Sequence, residues 1–198
     1  MSNGITTVTL GVPTVGHIHY ESVLSIVSLV GSGLISAVNI VPRLPVQQAR
    51  TRIVQTTKTT HLLFADDDMV YEPRHLEMLL KHADKDVVCG LAVSRSKRNS
   101  QPVVLKYHQK IGMYQFTPPP KKFAKVEAGT LAFTLIRMDV FEKVGRGFRF
   151  PANLGEDMDF FQRCAIAGVE VYVEPNCRVG HIMDKILYYG GENAGSSI

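Results

Sequence analysis

Cysteine is scarce in this chain of 198 residues: Cys89, Cys164 and Cys177 are scattered, odd in number and never spaced as metal ligands. That spacing builds neither a disulfide framework nor a zinc site, so three reduced, mostly buried thiols in a reducing, cytoplasmic compartment are expected. Long hydrophobic runs are also missing. The most apolar stretch, Val23 to Ile40, is broken by Gly31, Ser32, Gly33, Ser36 and Asn39 and falls short of a membrane-spanning helix. The first residues carry no basic stretch leading into an apolar run and a small-residue cleavage site, so no secretory signal is expected. No internal repeat or low-complexity tract interrupts the chain. A strong charge of either sign is absent too: Lys plus Arg total 22 against 18 Asp plus Glu. So mild an excess suits an anionic ligand and permits a nucleic acid or an anionic surface, but selects none of them.

What is present is the ordinary composition of a globular protein, 45% hydrophobic and 20% charged, at a length that supports a core without disulfides. Thr7 to Val12 reads as a buried strand ending at Pro13-Thr14. Val23, Ile26, Val27 and Val30 recur at helical spacing, closed by Gly31 and Gly33. Leu34 to Val41 is a nearly continuous apolar run, which predicts a strand covered on both faces. Val46, Ala49 and Ile53 mark the next helix, and His61 to Ala65 another strand. A helix opened by Glu72-Pro73 buries Leu76, Leu79, Leu80 and Ala83, and Asp86 to Val93 follows as a strand.

This alternation predicts a three-layer α/β/α architecture with a mostly parallel, doubly wound sheet. After Ser94 the pattern changes to short alternating pieces at Val103 to Tyr107 and Ile111 to Phe116, a smaller antiparallel portion. Ala128 to Ile136 reads as a buried strand, Asp139 to Val144 as a short helix, Gly155 to Ala167 as a longer one ended by Gly168, and Val169 to Val173 as the last strand. We expect one domain over residues 1–198: a nucleotide-binding half at about 5–93, a mixed half at about 94–181 and a C-terminal tail at 182–198. The tail, with Tyr188-Tyr189, reads as a loose end rather than a flap.

Chemistry concentrates in three places. Asp66, Asp67 and Asp68 directly follow the buried strand His61 to Ala65, where the carboxyl ends of parallel strands border a ligand crevice. Packed carboxylates repel unless a cation or solvent relieves them, and hard oxygen ligands there suit Mg²⁺ or Mn²⁺. The alternative is a solvated acidic turn favouring the next helix N-terminus. Glu156, Asp157 and Asp159 open a helix, where acidic residues also complement the helix dipole; Asp157 is the one that a base-requiring reaction would use. His181 follows Gly180 and is either structural or, beside carboxylates, a Mn²⁺ ligand. His17 and His19, just after the first strand, could border the pocket, whereas His61, His75, His82 and His108 read as surface or packing residues.

In their order these segments resemble the GT-A glycosyltransferases, closest to the family-two group. Gly11-Val12-Pro13-Thr14 resembles the strand and turn that meet the donor nucleotide. Phe64-Ala65-Asp66-Asp67-Asp68 resembles the Asp-x-Asp motif. Gly155-Glu156-Asp157-Met158-Asp159-Phe160, then Val173-Glu174-Pro175 and Gly180-His181, resemble the acceptor-side helix and the closing strand and histidine. The resemblance implies a metal-dependent enzyme that moves a sugar from a nucleotide-diphosphate sugar to an acceptor hydroxyl with inversion. It implies that Asp66, Asp68 and His181 hold Mn²⁺ or Mg²⁺, that Pro13, Thr14, Asp66 and Asp67 meet the donor, and that Asp157 is the base. Arg50 resembles an Ala-Arg element that touches donor phosphate or braces the cluster; read from its position alone it is equally a helix-surface charge. Where many relatives carry an acidic residue after the second strand, this sequence offers Asn39.

The acceptor that the resemblance leads us to expect is a glycan, a lipid-linked or a small-molecule hydroxyl, with DNA as the alternative. A hydroxylated DNA base is the alternative that the basic pieces Ser94 to Arg98 and Lys121-Lys122 would serve, although no aromatic residues interleave with them. A nucleotidyltransferase would use a similar sheet and metal, but no Gly-rich basic loop follows the first strand. A non-catalytic nucleotide-sugar-binding module would have little use for both Asp68 and Asp157.

Overall fold

A computed structural model describes residues 5–94, 101–151 and 154–183, and the backbone of 186–187. The Ser94 to Arg98 loop, after its first residue, and nearly all of the 182–198 tail lie outside them. In chain order the elements are β1 (Val8–Thr14), α1 (Tyr20–Gly31), β2 (Ala37–Pro42), α2 (Val46–Thr56), β3 (His61–Ala65), β4 (Met69–Val70), α3 (Pro73–Leu80) and β5 (Val87–Leu91). There follow β6 (Leu105–His108), β7 (Met113–Phe116), β8 (Ala124–Val126), β9 (Phe133–Arg137), α4 (Val140–Val144), α5 (Glu156–Ile166), β10 (Val171–Arg178), β11 (Gly180–Ile182) and β12 (Ile186–Leu187).

A seven-stranded sheet runs in the order β2-β1-β3-β9-β5-β10-β8. β1 pairs parallel with β2 and β3, and β5 with β10; β9 enters antiparallel between β3 and β5, and β8 pairs antiparallel with β10. β6 and β7 form a separate hairpin, and β12-β11-β4 a small sheet of its own. The expected mostly parallel α/β/α sandwich with an antiparallel portion is what the chain forms.

Its two cores follow from the two-residue period of a strand. In β3, Leu62 and Phe64 face one core with Ala49, Ile53, Phe141, Phe160 and Phe161, the layer of α2, α4 and α5. Leu63 and Ala65 face the other, with Ile26 and Leu29 of α1 and Leu76 and Leu79 of α3. Cys89, Cys164 and Cys177 are buried and unbridged, and burial pushes the Cys89 and Cys164 thiols up to about 12. No helix among the described residues is long and apolar enough to cross a membrane.

Two expectations are corrected. In α1 only Ile26 of the periodic set is buried; Val23, Val27 and Val30 face outward, and the inward face instead carries Ser22, Ser25 and Leu29. The reason is polar. α1 covers the short β4 and the residue after it, whose backbone groups would otherwise lack partners: Ser22 Oγ donates to the Met69 carbonyl at 2.8 Å, and the Tyr71 N–H donates to Ser25 Oγ at 3.1 Å. Nor is β2 covered on both faces. It is an edge strand, with Val38 and Ile40 each 42% exposed on the α1 side and only Asn39 and Val41 turned to α2.

β1 approaches α2 closely because residue 11 has no side chain. A Cβ there would stand 2.6 Å from Ile53 Cγ2 and 2.9 Å from Leu62 Cδ1. Gly11→Ala should therefore lower stability by about 1–3 kcal/mol through overpacking, measured by urea unfolding, with an unchanged m-value.

Candidate functional site

β1, β2 and β3 point their carboxyl ends the same way. The helix after β1 lies on one face of the sheet and the helix after β2 on the other, so a crevice opens at the end of β1. A cavity of about 320 Å³ occupies that position, lined by Pro13, Thr14, Val15, Leu44, Val46, Arg50, Asp66, Asp67 and Glu156. All five residues expected to meet a donor line it. One end is apolar (Pro13, Val15, Leu44, Val46), the other charged. A larger groove of about 730 Å³ lies between the β6–β7 hairpin and the last turn of α5, at the opposite ends of the strands and away from the aspartates.

Arg50 organises the charged end. It is 1% exposed, its guanidinium lying 5.1 Å over the Phe64 ring, so it is not the helix-surface charge its position alone allowed. Its Nη2 donates to Asp66 Oδ1 at 2.9 Å, while Glu156 Oε1 and Asp157 Oδ1 stand at 3.6 Å. Asp157 is also fixed from the other side, its Oδ2 accepting the Leu131 N–H at 3.0 Å. Three carboxylates thus share one guanidinium. Burial raises the Asp66 and Asp157 pKa values, with Arg50 opposing it, and the surrounding carboxylates hold the Arg50 pKa above its usual value against its own desolvation. Asp66 and Asp157 keep about a quarter of their side-chain surface open (25% and 23%), so a cation or substrate can reach them.

A second arrangement holds Asp68 and His181. Antiparallel pairing of β4 with β11 sets His181 opposite Met69, and the Ile182 N–H donates to the Asp68 carbonyl at 2.8 Å. His181 Nε2 then stands 3.2 Å from Asp68 Oδ2, and Nδ1 lies 2.8 Å from the Val93 carbonyl oxygen. A carbonyl only accepts, so Nδ1 carries a proton. In the neutral ring Nε2 is then a lone pair facing a carboxylate oxygen, an arrangement that a proton or a bound cation makes favourable. Metal-ligating histidines are commonly held in this way, by donation of the other ring N–H to a carbonyl.

The residues therefore fit a hard divalent ion, with a carboxylate and an imidazole already paired and an excess of carboxylates beside them. The three-ligand set is not gathered, however. Among the described residues no three His, Cys, Asp or Glu side chains converge as a ready-made metal site, and Asp66 is turned to Arg50 rather than to His181.

The remaining candidates separate cleanly. Asp159 is 3% exposed and bonded to Arg149 and Arg163, a structural brace of α5. His17 and His19 do border the site through their backbone: the His17 carbonyl accepts from Thr14 Oγ1, and the His19 N–H donates to the Asp67 carbonyl. His61 and His75 are buried packing residues. Asn39 is mid-strand and donates to Thr56 Oγ1 at 2.7 Å; β2 ends at Pro42, and Arg43 follows it. Sequence reasoning assigned Glu156 no more than a helix-dipole role, although its place beside Asp157 was the available signal. The Leu131 N–H and the Val93 carbonyl gave no signal at all, since any residue supplies them.

Removing Arg50 would leave three partly buried carboxylates without their cation, at a cost of about 3 kcal/mol at neutral pH. The deficit has a definite pH dependence. A carboxyl group whose folded pKa is raised contributes stability that is complete below its unfolded pKa, about 4, and is lost as pH rises through the folded value. Arg50→Ala raises those folded values further. In metal-free buffer its stability deficit relative to the wild-type chain should therefore grow from pH 4 to pH 8 in urea titrations.

Similarity to known proteins agrees with this geometry. The crystal structure of A197 from STIV superposes with a TM-score of 0.61 over 98% of this chain and 99% of that one, at 21% sequence identity, a likeness of fold. No curated protein matches the sequence. The family model described as glycosyl transferase family 2 matches residues 43–145, a span that runs from the end of β2 through the aspartates to α4. With the sheet and crevice described above, that match establishes a GT-A fold, and the chain belongs to glycosyl transferase family 2.

Proposed function

We propose that the protein is a metal-dependent glycosyltransferase that moves a sugar from a nucleotide-diphosphate sugar to an acceptor hydroxyl with inversion at the anomeric carbon. The observation that carries the reading is the cavity at the end of β1, where Pro13, Thr14, Arg50, Asp66 and Asp67 line one wall system and Asp157 stands next to the lining residue Glu156. The reading takes residues 1–198 as one domain, with its donor half at about 5–93 and its acceptor half at about 94–181.

The nucleoside of the donor lies toward the apolar end of the cavity and the diphosphate toward the aspartates. Asp68 and His181 would hold the metal, with Asp66 as the third protein ligand. Mn²⁺ or Mg²⁺ bound there supplies electrostatic stabilisation of the charge that grows on the departing nucleoside diphosphate. Arg50, locked by three carboxylates, acts as a brace: it keeps Asp66 and Asp157 apart and fixes their orientation. Asp157, anchored by the Leu131 N–H through Oδ2, takes the proton of the acceptor hydroxyl. Its raised pKa makes it a stronger base than an exposed carboxylate when ionised. The hydroxyl attacks the face opposite the leaving group.

Two measurements test the reading. With Mn²⁺ and a panel of nucleotide-diphosphate sugars, the wild-type protein should release nucleoside diphosphate from at least one donor, even slowly to water. EDTA or Asp68→Ala should abolish that release; metal-independent turnover would refute the assigned metal role. Asp157→Asn should lower acceptor transfer by about 10²–10⁴-fold while nucleoside diphosphate binding, followed by calorimetry, persists. A product of retained anomeric configuration would remove Asp157 from the part of base.

A further inference from the structure

Directly before the cavity-lining Leu44, Arg43 is the only residue other than glycine with positive φ among the described residues, at 60°. A left-handed conformation is unfavourable for a residue with a Cβ. Here it is imposed by rigid surroundings. Arg43 sits within Pro42-Arg43-Leu44-Pro45, where one proline fixes its own φ and the other holds Leu44 away from helical geometry. The Arg43 N–H donates to the Thr14 carbonyl at 2.9 Å and ties this turn to the end of β1.

The side chain lies over the loop that leaves β1. A Cβ on Gly16, itself at φ 131°, would meet Arg43 Cγ at 3.4 Å and Nε at 3.8 Å. Beside it are the cavity-lining Val15, 69% exposed, and Leu44. The Arg43 side chain is exposed, and no ion pair or hydrogen bond engages it among the described residues. An uncommitted guanidinium is thus held by a strained, proline-flanked turn at the edge of the apolar end, opposite the carboxylates.

We propose that Arg43 is the base-selecting residue of the donor site and that it selects guanine. The inference rests on the donor-site reading above, which sets the nucleoside at this end. A guanidinium has only donors, so it reads only acceptors on a base edge. Guanine offers two adjacent acceptors, O6 and N7, which match the planar fork of arginine. Adenine sets an amino donor beside N7, uracil sets an N–H between its two carbonyls, and the adjacent acceptors of cytosine, N3 and O2, lie on the side of the ring next to the ribose rather than at its far edge. The carboxylates that line the cavity, Asp66, Asp67 and Glu156, are all at its other end, so no acidic side chain of the lining is there to accept such an N–H.

Calorimetric titration of the full chain with GDP, ADP, UDP and CDP, each with Mn²⁺, tests this, with Arg43→Gly alongside. Glycine suits the φ of 60°, so the variant should melt at the same or a higher temperature, which separates a binding role from a structural one. Wild type should bind GDP roughly tenfold or more tightly than ADP, and Arg43→Gly should bring GDP down to the level of the others. Preference for another base, or a guanine preference kept in Arg43→Gly, overturns the role of Arg43 and leaves the donor site standing. If wild type binds none of the four with Mn²⁺, both readings fall together.

Discussion

A guanidinium buried among three carboxylates is the constraint around which the active end of this molecule is built. Arg50 reaches Asp66 after β3, and Glu156 and Asp157 at the start of α5, so three separate stretches of chain meet on one charge. The arrangement is costly in isolation, since ions lose their hydration and one cation cannot balance three anions. It persists because its partners are fixed from behind: Phe64 lies under the guanidinium, and the Leu131 N–H holds Asp157. What remains is a small excess of negative charge at the edge of a crevice, which is the electrostatic condition for attracting a divalent cation and, through it, a diphosphate.

The two charge groups are kept apart by backbone geometry. Residues 66 to 68 leave β3 as a turn, so Asp66 is directed to Arg50 while Asp68 is directed to the buried His181. That division depends on the two-residue strand β4, whose only strand neighbour in its small sheet is β11. The serines of α1 supply further hydrogen bonds to this segment, and α1 has Val23, Val27 and Val30 outward as a result. A local requirement at the site therefore sets the face of a helix that touches none of the charged residues.

Much of the fold was legible because it rests on periodicity. β3 reads as a continuous apolar run since both its faces are covered, and α5 was bounded correctly by Gly155 and Gly168, the latter at φ 68°. The errors have a common cause. The apolar run of β2 suggested double coverage, yet the strand is at the edge of the sheet, and position in a sheet is set by topology rather than composition. The period in α1 was real but pointed to solvent, because serine side chains outcompeted valine for a face that had polar backbone to satisfy. Within the site, side chains of unusual type in unusual places, such as Asp66, Asp157 and His181, could be singled out. The family resemblance set Asp68 and His181, 113 residues apart, on one metal, but the strand β4 that brings them within hydrogen-bond reach was too short to recognise. β2 was read to Val41, one residue short of its end, yet attention went to Asn39 within the strand rather than to Arg43 directly after it.

The polarity of the cavity gives the site a direction. Its charged end is deep, against the buried Arg50 and the first turn of α5, whereas its apolar end is formed by the exposed turn after β2 and the loop after β1. On the proposed reading, a ligand whose anion is bridged by a divalent cation sets that anion at the aspartates and its flat terminus against Val15, Leu44 and Pro13. The part of such a ligand beyond the anion would then extend past Asp66 toward Asp157, the carboxylate held by both Arg50 and the Leu131 N–H. The order along the crevice is apolar wall, aspartates and then the Asp157 carboxylate, and it follows from where β1, β2 and β3 end and from Arg50, which draws the start of α5 against them.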